Sequence, residues 1–121
     1  MAEHRLIHAG TGRVVVARLE LATTFWRRFR GLQFRRPLAA GEGLLIRPCR
    51  SIHTMWVRFS IDVAMLDRDG AVLALHRGVK PWRTLVGPRG THAVVETARG
   101  MLPADLQVGD RLAVVAANDI R

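Results

Sequence analysis

The apolar residues of this chain come in short runs rich in β-branched side chains, and most runs are closed by glycine, proline or an Asp-Gly pair. That punctuation limits what the chain can fold into, because a run of five to nine residues makes a strand but leaves too little for a long helix. Arg5 to Ala9 and Gly12 to Leu21 read as strands around the Gly10-Thr11-Gly12 turn. Gly43 to Arg47 is a short apolar strand that Pro48 interrupts, and residues 51–66 read mainly as strand. Asp67-Arg68-Asp69-Gly70 is a turn that returns the chain as Ala71 to Val79. His92 to Thr97 and Leu112 to Ala117 supply two more strands, and Pro81, Gly87, Pro88 and Gly90 mark residues 80–91 as a long surface loop.

Two short helices complete the pattern. Thr23 or Thr24 can cap the first, which runs to about Phe34 and is stopped by Pro37. Phe25, Phe29 and Leu32 fall at i, i+4 and i+7 and predict one apolar face packed on the sheet, with Arg28 and Arg30 at its borders. Pro103 can open the second, through Leu106. Strands and helices do not alternate regularly, which argues against a doubly wound parallel sheet. The expected fold is mainly β, a compact antiparallel β-barrel or sandwich with two short helices.

With 121 residues the chain has the length of a single domain, residues 1–121, and can build a core without disulfides. Its one cysteine excludes an internal disulfide framework and a multi-cysteine zinc site. The five histidines (4, 8, 53, 76 and 92) have no zinc-motif spacing, so neither metal nor cofactor is expected. No apolar run approaches a membrane span, and no secretion-type segment is visible near the start, so the expected location is the cytoplasm, with export the alternative. The net charge of +9 is uneven: residues 1–60 carry 11 arginines against 3 acidic residues, whereas residues 61–121 carry 8 basic against 7 acidic. A basic half attracts anions of many kinds, although 18 of the 19 basic residues being arginine also fits a coding bias.

Chemistry-bearing residues are densest from Pro48 to Thr54. In a regular strand Cys49, Ser51 and His53 share one face, and that face becomes apolar through Met55, Val57, Phe59, Ile61 and Val63. Such a change is expected where a core strand runs out into a cleft. A Cys49–His53 catalytic dyad is unfavourable, because residues four apart in a strand lie ~13 Å from each other. Lys80-Pro81-Trp82-Arg83 places an aromatic plane among cations, where it could stack a ring or hold an anion, or simply plug the edge of the core. Glu96 ends the apolar run Ala93 to Val95, and a carboxylate there needs a partner if it is covered.

Several stretches in a fixed order resemble the family known as domain of unknown function 192. They are Arg30-Gly31-Leu32, Gly41-Glu42-Gly43-Leu44-Leu45, Pro48-Cys49 with Ser51-Ile52-His53-Thr54, Phe59 with Ile61-Asp62-Val63, Leu66-Asp67, Pro81-Trp82, Glu96 with Gly100, and Gly109-Asp110. The likeness spans about Leu19 to Leu112. Gln33, Val57, Ser60, Thr97 and Arg99 depart from the family's usual residues and weaken any expectation of a Met-lined pocket. The resemblance implies a compact β-rich domain with no assigned activity, in a family many of whose members look exported.

Three functions follow as expectations. The favoured one is binding of a small polar or anionic ligand in a cleft near residues 48–54. Its candidate lining residues are Arg30, Cys49, Ser51 and His53, joined by Thr54, Asp62, Trp82 and Glu96. The second is a nucleic-acid or protein interaction domain that uses the Arg-rich first half. The third is an enzyme using His53 or Cys49, which no phosphate-binding loop or nucleophile elbow supports.

Overall fold

The structure is a computed structural model, and it describes residues 4–116. It is mainly β. Nine strands form: β1 (His4–His8), β2 (Val14–Ala22), β3 (Glu42–Ile46), β4 (Ser51–His53), β5 (Ile61–Leu66), β6 (Val72–Val79), β7 (Thr84–Val86), β8 (Ala93–Ala98) and β9 (Leu112–Ala116). The expected last position of β9, Ala117, lies outside the described residues. Seven strands make one sheet in the order β6-β5-β8-β3-β2-β1-β9, and β4 and β7 make a separate antiparallel pair.

The large sheet is mixed. β2 and β3 run parallel, with Leu21 opposite Leu45, because the chain between them is long enough to cross over the sheet. The remaining pairs are antiparallel. The sheet curls until its edge strands approach at one end, where Ala71 bridges Arg111, yet it stays a sandwich-like fold and does not close into a barrel. Gly70 makes that approach feasible. Its φ is +87°, and a Cβ there would lie within 2.1 Å of the Leu112 carbonyl oxygen, so only glycine fits.

Both sheet faces are covered. On one, Leu6, Val16, Leu19, Leu45, Val72 and Val95 pack together. On the other, Leu44, Ile46, Val63, Met65 and Val94 pack under Ile52 of β4 and under Leu32 and Leu38 of the crossover. Strand alternation makes this division: Leu44 and Leu45, or Val94 and Val95, are neighbours that point to opposite cores.

Four expectations are corrected. One helix forms, α1 (Phe25–Arg30), and the Pro103–Leu106 segment is a turn. Thr24 caps α1, its Oγ1 accepting from the Arg27 N–H at 3.3 Å, and Gly31 ends it with a φ of +50°. A helix this short does not lie along the sheet. Leu32, just past its end, is buried, whereas Phe25 and Phe29 remain 63% and 62% exposed, stack on each other and meet Trp26 edge-on. Residues 51–66 do not form one strand. They break at 54–60, where Trp56 takes a φ of +65° and the Thr54 hydroxyl both accepts from the Arg83 N–H and donates to the Lys80 carbonyl, each at 2.8 Å. Finally, β7 forms inside the stretch that reads as a loop, because β4 offers it a partner: Ile52 faces Leu85.

Candidate functional site

Glu96 lies on β8 opposite Leu44 of β3 and Val63 of β5, on the same face as Val94. Over that face arch the end of α1, the 47–49 segment and β4. They leave a cleft of about 180 Å³ whose floor is Ile46 and Glu96 and whose walls include Arg28, Phe29, Cys49 and His53. The side chain of Glu96 is 4% exposed, and no described residue donates a hydrogen bond to its carboxylate. Burial alone pushes its pKa from 4.5 to about 7. A buried carboxylate without a donor is expensive to keep and points to a role beyond packing.

A second orphan borders the same cleft. Arg28 donates from its Nη1 to the Pro48 carbonyl at 3.2 Å, while its Nε is buried and finds no acceptor. Arg28 and Glu96 do not pair with each other, so Glu96 keeps an unanswered acceptor at the cleft, and Arg28, which lines it, keeps a buried Nε without a partner. Cys49 is half-buried, and its Sγ donates to the Ser51 carbonyl at 3.1 Å. Burial pushes this thiol above its ordinary value, and the nearby Glu96 adds to the effect, which leaves it a poor nucleophile at neutral pH. Its hydrogen bond goes to a backbone carbonyl and not to His53. Among the described residues no three metal-ligating side chains cluster.

Of the eight candidates read from the sequence, Arg30, Cys49, Ser51, His53 and Glu96 line this cleft, with Ser51 and His53 exposed at its mouth and Ile52 turned into the core. The other three lie elsewhere. Thr54 is buried and knots the turn after β4 to the 80–83 loop. Asp62 is buried on the opposite face of the sheet, where its carboxylate accepts from the N–H groups of Gly78 and Gly100 at 2.9 Å and of Leu102 at 3.4 Å. Trp82 is exposed against Trp56. The sequence reading missed Arg28 as a wall of the cleft, although its place at the border of the helical apolar face was the available signal.

A larger groove of about 650 Å³ runs past Arg18, Arg27, Arg35 and Arg36. Its cations are already engaged: Arg27 and Arg35 hold Glu20, Arg36 holds Glu42, and Arg18 donates to the Ala40 carbonyl. Of these two cavities, the smaller is the one that holds a buried carboxylate without a donor.

The described residues include no helix long and apolar enough to cross a membrane. Residues 6–114 match the sequence model of domain of unknown function 192, DUF192, described as an uncharacterised ACR. The chain is 34% identical over 111 residues to the UPF0127 protein PF1050 of Pyrococcus furiosus, covering 88% of this chain and 95% of that protein. Its fold is similar to the crystal structure of a Sinorhizobium meliloti protein whose assignment as a transcription regulator is provisional, with a TM-score of 0.78 and 23% identity over 94% of this chain and 96% of that one. A protein of unknown function from Novosphingobium aromaticivorans is similar as well, with a TM-score of 0.76 and 23% identity over 92% of this chain and 83% of that one. At these identities the two structures speak for the fold alone, whereas the sequence match fixes the relationship: the chain belongs to the DUF192 family.

Proposed function

We propose that this chain works as one domain that binds a small polar molecule in the Glu96 cleft. The observation that carries the reading is the buried carboxylate with no protein donor, opening onto a space lined by Arg28, whose buried Nε is also without a partner. A ligand with a hydroxyl or amine donor would satisfy Glu96, and an acceptor or anionic oxygen on the same molecule would satisfy Arg28. Short hydroxy acids and amino acids have both groups, and the small volume favours molecules of that size. His53 and Ser51, at the mouth, would meet the ligand's outer end. The raised Cys49 thiol supports binding over covalent catalysis.

The test is thermal melting with lactate, glycine and related short acids. A ligand that binds only the folded state raises the melting temperature with concentration. The shift is expected in the wild type and lost in Glu96→Met, which keeps the length of the side chain and removes the acceptor. A shift that survives Glu96→Met would overturn the role of Glu96, and no shift for any member of the panel would overturn the ligand class.

A further inference from the structure

Phe34, Trp56 and Trp82 come from three separate segments and meet on the surface. Phe34 and Trp56 stack with ring centroids 5.5 Å apart, and Trp82 meets Trp56 edge-on at 4.8 Å. Each ring remains more than half exposed. All three backbones are left-handed, with φ of +60°, +65° and +66°, and among the described residues they are the only non-glycine positions of this kind. Bulky residues avoid that region, which glycine or asparagine would occupy with less strain. Strain held at three positions that share one surface feature points to a use for the rings, since exposed rings contribute little to the core.

The backbone holds the group in place. Phe34 N–H donates to the Trp56 carbonyl at 2.9 Å, Trp82 N–H donates to the Thr54 carbonyl at 3.1 Å, and the Thr54 hydroxyl fixes the chain on both sides of Trp82. Several arginines of the neighbouring segments are engaged, Arg27 and Arg35 by Glu20 and Arg36 by Glu42, but three cations flanking the rings are not. Arg58, Lys80 and Arg83, close in sequence to Trp56 and Trp82, are exposed and have no carboxylate within 4 Å among the described residues.

We propose that Phe34, Trp56 and Trp82 form a stacking platform for single-stranded nucleic acid, with Arg58, Lys80 and Arg83 on its phosphates. The partner must offer flat faces and repeated negative charge together. In a duplex the base faces are stacked on one another and closed to the rings, so the single strand is the form that fits. The platform is independent of the Glu96 cleft, and either can fail without the other.

Filter binding of a labelled 12-residue oligouridylate or oligodeoxythymidylate to the full chain tests the proposal. Binding should weaken with salt with a log–log slope of about −2, as expected for three phosphate contacts on a single strand. Trp56→Gly and Trp82→Gly should each weaken it by about fivefold or more, with the unliganded melt preserved, because glycine accepts the left-handed backbone. Arg58→Gln, Lys80→Gln and Arg83→Gln combined should flatten the salt slope with the platform left intact. Absence of binding at low salt, tighter binding to duplex of the same length, or indifference to both the tryptophan and the charge variants would overturn the proposal. Binding to phosphatidylglycerol vesicles without binding to the oligonucleotide would overturn it in favour of a membrane surface.

Discussion

Asp62 and Glu96 are two buried carboxylates on adjacent strands, one step apart in register, since Thr97 faces Asp62 and Glu96 faces Val63. Their surroundings are opposite. Asp62 collects backbone N–H groups from β6 and from the 100–102 turn, and the Arg77 guanidinium stands 3.9 Å away. Glu96 collects nothing. Burial is the same for both, so burial alone does not identify a functional acid. What separates them is whether the fold itself supplies the hydrogen bonds. Asp62 is a structural pin that ties three parts of the chain, whereas Glu96 keeps its acceptor capacity for something outside the protein.

The largest test of this contrast is Asp62→Ala. It strands the N–H groups of Gly78, Gly100 and Leu102 and should destabilise the fold by about 3–5 kcal/mol, read from a urea melt. A loss below about 1 kcal/mol would erase the distinction between the two acids. Glu96→Gln should act in the other direction. The folded pKa of Glu96, about 7, lies above its ordinary value of 4.5, so its share of stability is fully present below pH 4.5 and is lost as pH rises through 7. The wild type should therefore lose up to about 3 kcal/mol across that window. Glu96→Gln should lose this fall with pH and be more stable than the wild type at pH 8. Thermal melts from pH 4.5 to 8 decide it, and a wild-type melt that rises across the window would contradict the unpartnered carboxylate. The smallest effect is expected for His53→Ala at the mouth: apo stability within about 0.5 kcal/mol of the wild type, but a reduced melt shift with the cleft's ligand.

Much of the sheet is legible in the sequence because its signals are local. Val14 to Val16 declares a strand by β-branching, and Asp67 to Gly70 declares a turn. The single run from 51 to 66 hides a break because that break is set at long range. The Thr54 hydroxyl bonds to Lys80 and Arg83, and nothing within 51–66 shows it. β7 is invisible for the same reason, being a strand only through β4. The aromatic spacing in α1 is genuine, but periodicity tells which residues share a face and not whether that face is covered; Leu32 and Leu38 took the covering role. The site was half legible. Clustered polar residues at 48–53 pointed to the cleft, and Glu96 stood out as an acid in an apolar run. Asp62 stood out equally, and only the positions of Gly78 and Gly100 in space separate the two.

The placement of the indole rings also sets what spectroscopy of this protein reports. The sequence has 3 tryptophans and no tyrosine, and Trp26, Trp56 and Trp82 are 73%, 52% and 54% exposed. Ultraviolet emission from the native chain therefore comes from rings already in contact with water, and global unfolding should shift its maximum little. Circular dichroism of the peptide bonds is the signal that follows the core. Emission, by contrast, reads the outside of the molecule, and quenching or a blue shift on mixing with a partner would register occupancy of that surface with almost no contribution from the interior.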